Sequence, residues 1–420
     1  MADVELRTIV RLVIARSLNT FGRAVLSATV LWELYARTGS KLALAAVGVA
    51  QMLPVAVLFV PAGTLVDHSD RRALATIAAM TTGLIGLGLA MISGLDAPVP
   101  LYFVLLLAQG CATVIHAPAI SSLVPLIVAR SELARVNRMS ASLQELSAVL
   151  GPAIAGLALN FVSAAWIYAA LAVTGLAAAA LYRSLPTPRA VAAPTASARK
   201  DWRVGLRFIF RSPLLLPALT LDMFAVLFAG VTALLPAVAT DVLHVNALGY
   251  GMLRAAQSAG AVLMAVIGGR LRPWQRPGRV LLIVVALFGL ATIGFGVSRS
   301  FPVSLALLVL CGALDNISVV IRLTLEQMVV PDAIRGRVSA VHYVFIGTSN
   351  ELGAAESWTA AFLIGTIPAI VAGGAVAIVV VGIVALRWRA LVNMPPLAEL
   401  QPADSIESSV ASIGDAAPPG

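Results

Sequence analysis

Eleven ionisable residues stand inside long apolar runs of this 420-residue chain: Arg16, Arg23, Arg254, Arg322, Glu33, Glu145, Asp222, Asp315, Glu326, Glu351 and Glu356. A charge held away from water is expensive unless it is paired or hydrated, so such positions are functional candidates by default. Four cations meet seven carboxylates, and three carboxylates remain even if every arginine takes one. An unpaired carboxylate in a low-dielectric site tends to take up a proton, and it releases that proton when its surroundings become wet. The chemistry on offer is reversible protonation rather than bond making. No Ser-His-Asp set, phosphate-cradling Gly-rich loop, HExxH pair or dinucleotide turn accompanies these residues, so neither an enzymatic centre nor a metal site nor a bound cofactor is expected.

Asp222, in LTLDMFAVLF, has no basic residue within two turns of its own segment and is the leading proton-carrier candidate, followed by Glu351, Glu356 and Glu145. A static hydrogen bond or ion pair between helices is the alternative for each. Asp315, Arg322 and Glu326 fall on one helix face as an acid-base-acid ladder, which suits a latch or a proton relay. Arg16, Asn19 and Arg23 fall at i, i+3 and i+7, a polar stripe fit to attract an anionic molecule or to neutralise acids of neighbouring segments. Arg254 stands alone in its run. Glu33 and Glu326 lie near the ends of theirs, where water is expected to reach them, and His116 and His342 read as packing residues.

The elements that must position these groups follow from composition. With 60% hydrophobic and 12% charged residues the chain cannot coat a soluble fold. A hydrocarbon core about 30 Å thick needs about 20 helical residues to cross. Twelve segments meet that length: 9–35, 42–66, 73–95, 99–127, 139–160, 162–184, 214–239, 247–269, 280–298, 302–329, 338–363 and 366–387. The class is therefore an all-α polytopic membrane protein. The opening MADVELRTIVRLVIARSLNTF reads as a first span and not as a signal peptide. With the N-terminus and the even connections on the cytoplasmic face, 22 of the 29 Lys and Arg lie there, against Arg37, Lys41 and Arg299 outside, which places both termini in the cytoplasm. The net charge of +9 is scattered in clusters rather than striped along one face, so no nucleic-acid partner is expected. Cys111 and Cys311 lie within runs and read as small hydrophobes.

The chain divides into an N-terminal half (1–185), a cytoplasmic linker (186–213), a C-terminal half (214–388) and a polar tail (389–420) expected to be disordered. The end of the linker alternates Trp202, Leu206, Phe208, Ile209 and Phe210 with Arg203, Arg207 and Arg211. This suits either an amphipathic helix on an anionic leaflet or an extension of the seventh span. RMSA at 138–141 and RVSA at 337–340 open the fifth and eleventh spans 199 residues apart, while Cys111 and Cys311 repeat in the fourth and tenth. Two six-span halves repeated in parallel are a transporter pattern.

Between spans two and three stands GTLVDHSDRR, Gly63 to Arg72, which resembles the signature loop of the major facilitator superfamily, departing from it at His68 and Asp70. In that pattern Gly63 permits close helix approach, Asp67 accepts from a helix N-terminus or an arginine, and Arg71 and Arg72 sit at anionic headgroups, together a conformational latch. LGPAIAG, Leu150 to Gly156, resembles the Gly-Pro motif of drug-exporting members, in which Gly151, Pro152 and Gly156 bend the helix and thin its packing face. GLRFIFRSPLL, LLPAVATDVLHV, RGRVSAV and TSNELGAAES resemble the branch of enterobactin exporters and multidrug proton antiporters. The resemblance implies two pseudo-symmetric six-helix bundles around a midplane cavity. It also implies export of a small amphipathic molecule, drug-like or siderophore-like, in exchange for protons across a bacterial cytoplasmic membrane. The partners are then substrate, protons and membrane lipids, the proton gradient stands in place of a cofactor, and a monomer is expected. Proton-coupled uptake and lipid or lysolipid flipping by the same fold are the alternatives.

Overall fold

The structure is a computed structural model and describes residues 2–129, 132–186, 202–268 and 274–400. The N-terminal half is built from α1 (Ala2–Thr38), α2 (Lys41–His68), α3 (Arg71–Gly94), α4 (Pro100–Ile127), α5 (Leu133–Leu159) and α6 (Ala164–Arg183). A short α7 (Trp202–Arg211) leads into α8 (Leu215–Val242), α9 (Ala247–Gly268), α10 (Pro277–Val297), α11 (Phe301–Val329), α12 (Asp332–Ile364) and α13 (Thr366–Arg387). These are the twelve expected spans plus the linker helix. Helices α1, α5 and α12 begin six or seven residues before their apolar runs, because their polar first turns are helical too.

Among the described residues nine helices are long and apolar enough to cross a membrane. Helices α1 and α12 are not among them, since polar residues as well as ionisable ones interrupt their apolar runs, and part of α2 lies over residues of which only the backbone is described. Helix α8 is regular to Ala229, then passes through a 3₁₀ turn at Val231–Leu234 and a π turn at Val238–Val242. Gly230 and Pro236 explain the change, since proline has no N–H to give to the helical ladder.

Packing repeats between the halves. In the first, α1 packs on α5 and α6, α2 on α4, and α3 on α4 and α6. In the second, α8 packs on α12 and α13, α9 on α11, and α10 on α11 and α13. Each pairing maps onto its counterpart by adding six spans. The contacts between halves, α5 with α9 and α2 with α12, are exchanged by the same operation. This is a parallel duplication with a pseudo-two-fold axis between the bundles.

The apolar core is divided unequally along that axis. At the end holding the C-termini of α1, α3 and α5, one continuous cluster joins both halves, with Leu34, Tyr102 and Tyr168 from the first beside Leu234, Tyr250 and Trp358 from the second. At the opposite end the described buried residues form two separate clusters. One contains Leu12, Ala79, Leu123 and Tyr182, and the other Leu221, Leu281, Ile321 and Val338. The described halves are thus closed on each other at one end and packed independently at the other.

Local details follow from sequence. Asp70 caps α3, accepting from the N–H groups of Arg72 (2.9 Å) and Ala73 (3.4 Å), so the residue that departs from the family loop serves as a helix cap. Gly365, at φ +95°, separates α12 from α13 in a backbone region that glycine tolerates best. The apolar side of α7 is covered by protein: Phe208 and Ile209 are buried with Ile334 and Val338, Gly205 meets the backbone of Arg337, and Phe210 is exposed. It is a separate helix docked on α12 rather than a continuation of α8. The tail is ordered at its start, with Arg389–Val392 helical and Leu391 and Met394 buried against Gly278 of α10, while 401–420 lie outside the described residues, as do 187–201 of the linker.

Candidate functional site

The polar core of the C-terminal half is organised by α11. Arg322 forms an ion pair with Asp222 of α8, and both are buried, at 4% and 8% exposure. One turn on, Glu326 contacts Nδ1 of His342 on α12, and this pair is buried as well. Two neighbouring residues of one helix thereby reach two different helices. Asp222 and Asp315 also line a small cavity with Ala225, Val285, Phe288 and Ser318, between α8, α10 and α11.

This arrangement corrects three expectations. Asp222 has no cation near it in sequence, but the fold brings Arg322 to it from 100 residues away. The partners found for Arg322 and Glu326 come from other helices, so the ladder with Asp315 works across the bundle and not only along one face. Glu326 is 5% exposed despite its place near a span end, because α12 covers it. Glu356 is half-buried on α12 beside Ser357, which donates to the carbonyl of Gly230 (3.4 Å). The side chains of Glu145 and Glu351 lie outside the described residues, although both positions are helical.

In the N-terminal half, Asn19 is buried with Nδ2 3.3 Å from the ring nitrogens of His116, whose Nε2 lies 3.3 Å from the Tyr182 hydroxyl. Arg16 and Arg23 flank this group closely enough to act on His116 electrostatically, Arg16 half-buried and Arg23 exposed. The stripe therefore splits, with its amide inside the bundle and its arginines at the edge. Glu33 was expected near water and is instead 7% exposed. Its carboxylate accepts from Ser93 (2.6 Å), Tyr102 (2.9 Å) and Tyr168 (2.8 Å) and pairs with Arg37 (3.1 Å), because α3, α4 and α6 converge on this end of α1. Arg37 also reaches Asp96 (3.0 Å).

At the end where the cores merge, polar contacts cross between halves. Tyr35 donates to Asp241 (2.5 Å) and Asn246 to Asn160 (3.1 Å). Tyr250 donates to the carbonyl of Ala28 (3.2 Å) and stacks on Trp32 at 5.2 Å, while Arg254 donates to Ser27 (3.0 Å). Small residues permit the approach: a Cβ on Gly156 would stand 2.6 Å from the Gly251 backbone of the other half, while Gly151 lets α5 close on α1 within the first half, where its Cβ would stand 2.6 Å from Ala24. Pro152 is buried in the same stretch, its carbonyl facing Gly251. We call this set the seal. Of this set the sequence alone marks Arg254, Gly151, Pro152 and Gly156, yet Asn246, Tyr250 and Arg254 at i, i+4 and i+8 are a legible stripe too.

In the loop between α2 and α3, Arg72 donates to the carbonyl of Leu185 (2.8 Å) at the end of α6, so it ties two helix ends together rather than standing free at a headgroup. Arg71 is half-buried. Gly63 and Asp67 are helical, and their surroundings lie outside the described residues.

Comparison with known proteins agrees with this architecture. A family model described as Major Facilitator Superfamily matches residues 12–354. The enterobactin exporter EntS of Escherichia coli O1:K1 / APEC is 29% identical over 300 residues, which cover 70% of each chain. That of Shigella boydii serotype 18 is 29% identical over 301 residues, again 70% of each. Among solved structures, a bacterial homolog of the human lysosomal transporter Spinster, inward-facing and unoccupied, superposes with a TM-score of 0.69 at 13% identity, covering 92% of this chain and 96% of that one. A D-xylose-proton symporter gives 0.67 at 13%, covering 92% and 97%. With its two six-helix bundles, its duplicated packing and a family match across most of its length, this chain belongs to the major facilitator superfamily of membrane transporters.

Proposed function

We propose that the protein is a proton-driven exporter of small amphipathic molecules that works by alternating access. The observation that carries the proton coupling is the buried Asp222–Arg322 pair, whose Asp222 lines a cavity. Removing one partner of a buried pair costs about 3–5 kcal/mol. Moving one elementary charge through 100 mV releases about 2.3 kcal/mol. The two are of the same order, so protonating Asp222 is enough to bias the second bundle between two packings. Arg322 then turns to another acceptor, and α11 carries the change to α12 through Glu326 and His342.

Direction and placement rest on charge and likeness. The end where the cores are separate is the end that the arginine distribution assigns to the cytoplasm, so the described conformation is inward-open, with the seal toward the outside. Both termini then lie in the cytoplasm and the host membrane is a bacterial cytoplasmic membrane. Relatives named as enterobactin exporters support export, and a drug-like or siderophore-like cargo fits that likeness. One chain supplies both bundles, so a monomer suffices.

The test is an efflux and susceptibility panel on cells with and without the protein. Lower retention of several amphipathic compounds, abolished when the proton gradient is collapsed, is the expected outcome. Accumulation inside the expressing cells would establish uptake instead, and movement of a labelled lysolipid between leaflets would establish flipping.

A further inference from the structure

Two half-buried arginines of the seam between the halves, Arg16 and Arg254, differ from Arg322 and Arg37. Arg322 and Arg37 are matched by carboxylates. Among the described residues no carboxylate lies within ion-pair distance of Arg16 or Arg254. Arg254 spends Nη2 on the neutral hydroxyl of Ser27 at 3.0 Å, and its Nη1 is buried without an acceptor. A cation kept at bilayer depth with no fixed counter-ion is costly, and the usual reason to keep one is a mobile partner.

Helix register also places the two along one seam. Positions 16, 23 and 27 fall at i, i+7 and i+11 and so share one face of α1. Contact between Ser27 and Arg254 shows that this face turns toward α9 of the other half. Arg16 lies on it about 16 Å below Ser27, at a rise of about 1.5 Å per residue, among the separately packed ends of the bundles. The seam thus runs from a cation near its open end to a cation with a spare donor at the seal. Guanidinium groups pair best with planar acidic groups, in bidentate geometry.

We propose that the cargo carries an acidic group, a carboxylate or a comparable oxyanion, and that Arg254 and Arg16 are the specificity-determining residues that take it. This rests on the transporter reading above and names its substrate class. The guanidinium that takes the acid at the seal is the one now holding Ser27, so cargo arrival removes one strut between α1 and α9.

The test is equilibrium binding to the purified full-length chain, with 1-naphthoic acid and its uncharged primary amide as matched probes. The wild type is expected to bind the acid at least tenfold more tightly than the amide. Arg254→Gln and Arg16→Gln should each erase most of that ratio by weakening only the acid, and Arg254→Lys should keep part of it. Equal affinity of the wild type for both probes, or no saturable binding of the acid, overturns the proposal. So does an unchanged ratio in both glutamine variants, or an equal weakening of both probes, which is what a purely structural arginine would give. Binding is read without a gradient or flux: a lost preference with efflux intact overturns this assignment alone, and absent gradient-driven efflux with the preference intact overturns only the exporter reading.

Discussion

Asp222 of α8 and Arg322 of α11 are an ion pair enclosed by the second bundle, and Glu326, one turn from Arg322, engages His342 of α12. A single helix therefore holds two others through charge, and the state of one carboxylate bears on the packing of three elements. Arg322→Gln should strand Asp222 and destabilise the fold by about 3–5 kcal/mol, read as a lowered Tm in detergent. The neutral double variant Asp222→Asn with Arg322→Gln should recover most of that Tm and still fail to transport against a gradient. Restored coupling in the double variant would show that the pair is only structural.

The seal gives a second prediction. Gly156 and Gly251 meet backbone to backbone, and a Cβ at Gly156 would stand 2.6 Å from Gly251. Gly156→Leu should wedge α5 from α9 and hold the sealed end open. With Cys111 and Cys311 first replaced by alanine, a cysteine introduced in place of Ser27 should react with an impermeant maleimide added outside at least tenfold faster in this variant than in its parent.

Cross-linking tests the same surface from the other side. Cysteines in place of Tyr35 and Asp241, whose side chains are hydrogen-bonded across the halves at 2.5 Å, should be joined by a short bifunctional thiol reagent. Transport should stop when they are joined and return when a reducible cross-linker is cleaved. Undiminished transport with the link in place would mean that this end need not part.

The knot around Glu33 is expected to hold the fold rather than drive the cycle. Tyr102→Phe and Tyr168→Phe each remove one hydrogen bond to the carboxylate, and each should cost about 1.5–3 kcal/mol, the range for a bond to a charged group, measurable as a fall in Tm. The pH dependence of efflux should not change. A shifted pH profile would place Glu33 in the proton path.

The helices were legible in the sequence because each span is one apolar run long enough to cross a bilayer, and the duplication left marks at Arg138 and Arg337 and at Cys111 and Cys311. Pairing was not legible in the same way. The cation that meets Asp222 stands 100 residues along the chain, and the tyrosines that surround Glu33 arrive on α4 and α6. A window on one helix sees only that helix, so Glu33 and Glu326 looked wet at the ends of their runs when neighbouring helices in fact cover them. Asp70, read as a break in a family loop, caps α3, a role that its position before Arg71 and a helical run already signalled. Half of the seal was within reach as well, in the four-residue spacing of Asn246, Tyr250 and Arg254, but its partners on α1 and α5 required the fold.

The most direct measurement of the central claim is proton movement in proteoliposomes with an imposed pH gradient, followed by a pH-sensitive dye as a transported compound is added. The wild type should dissipate the gradient when the compound arrives, and Asp222→Asn should leave it unchanged while still binding the compound. Dissipation by Asp222→Asn at the wild-type rate would contradict the account.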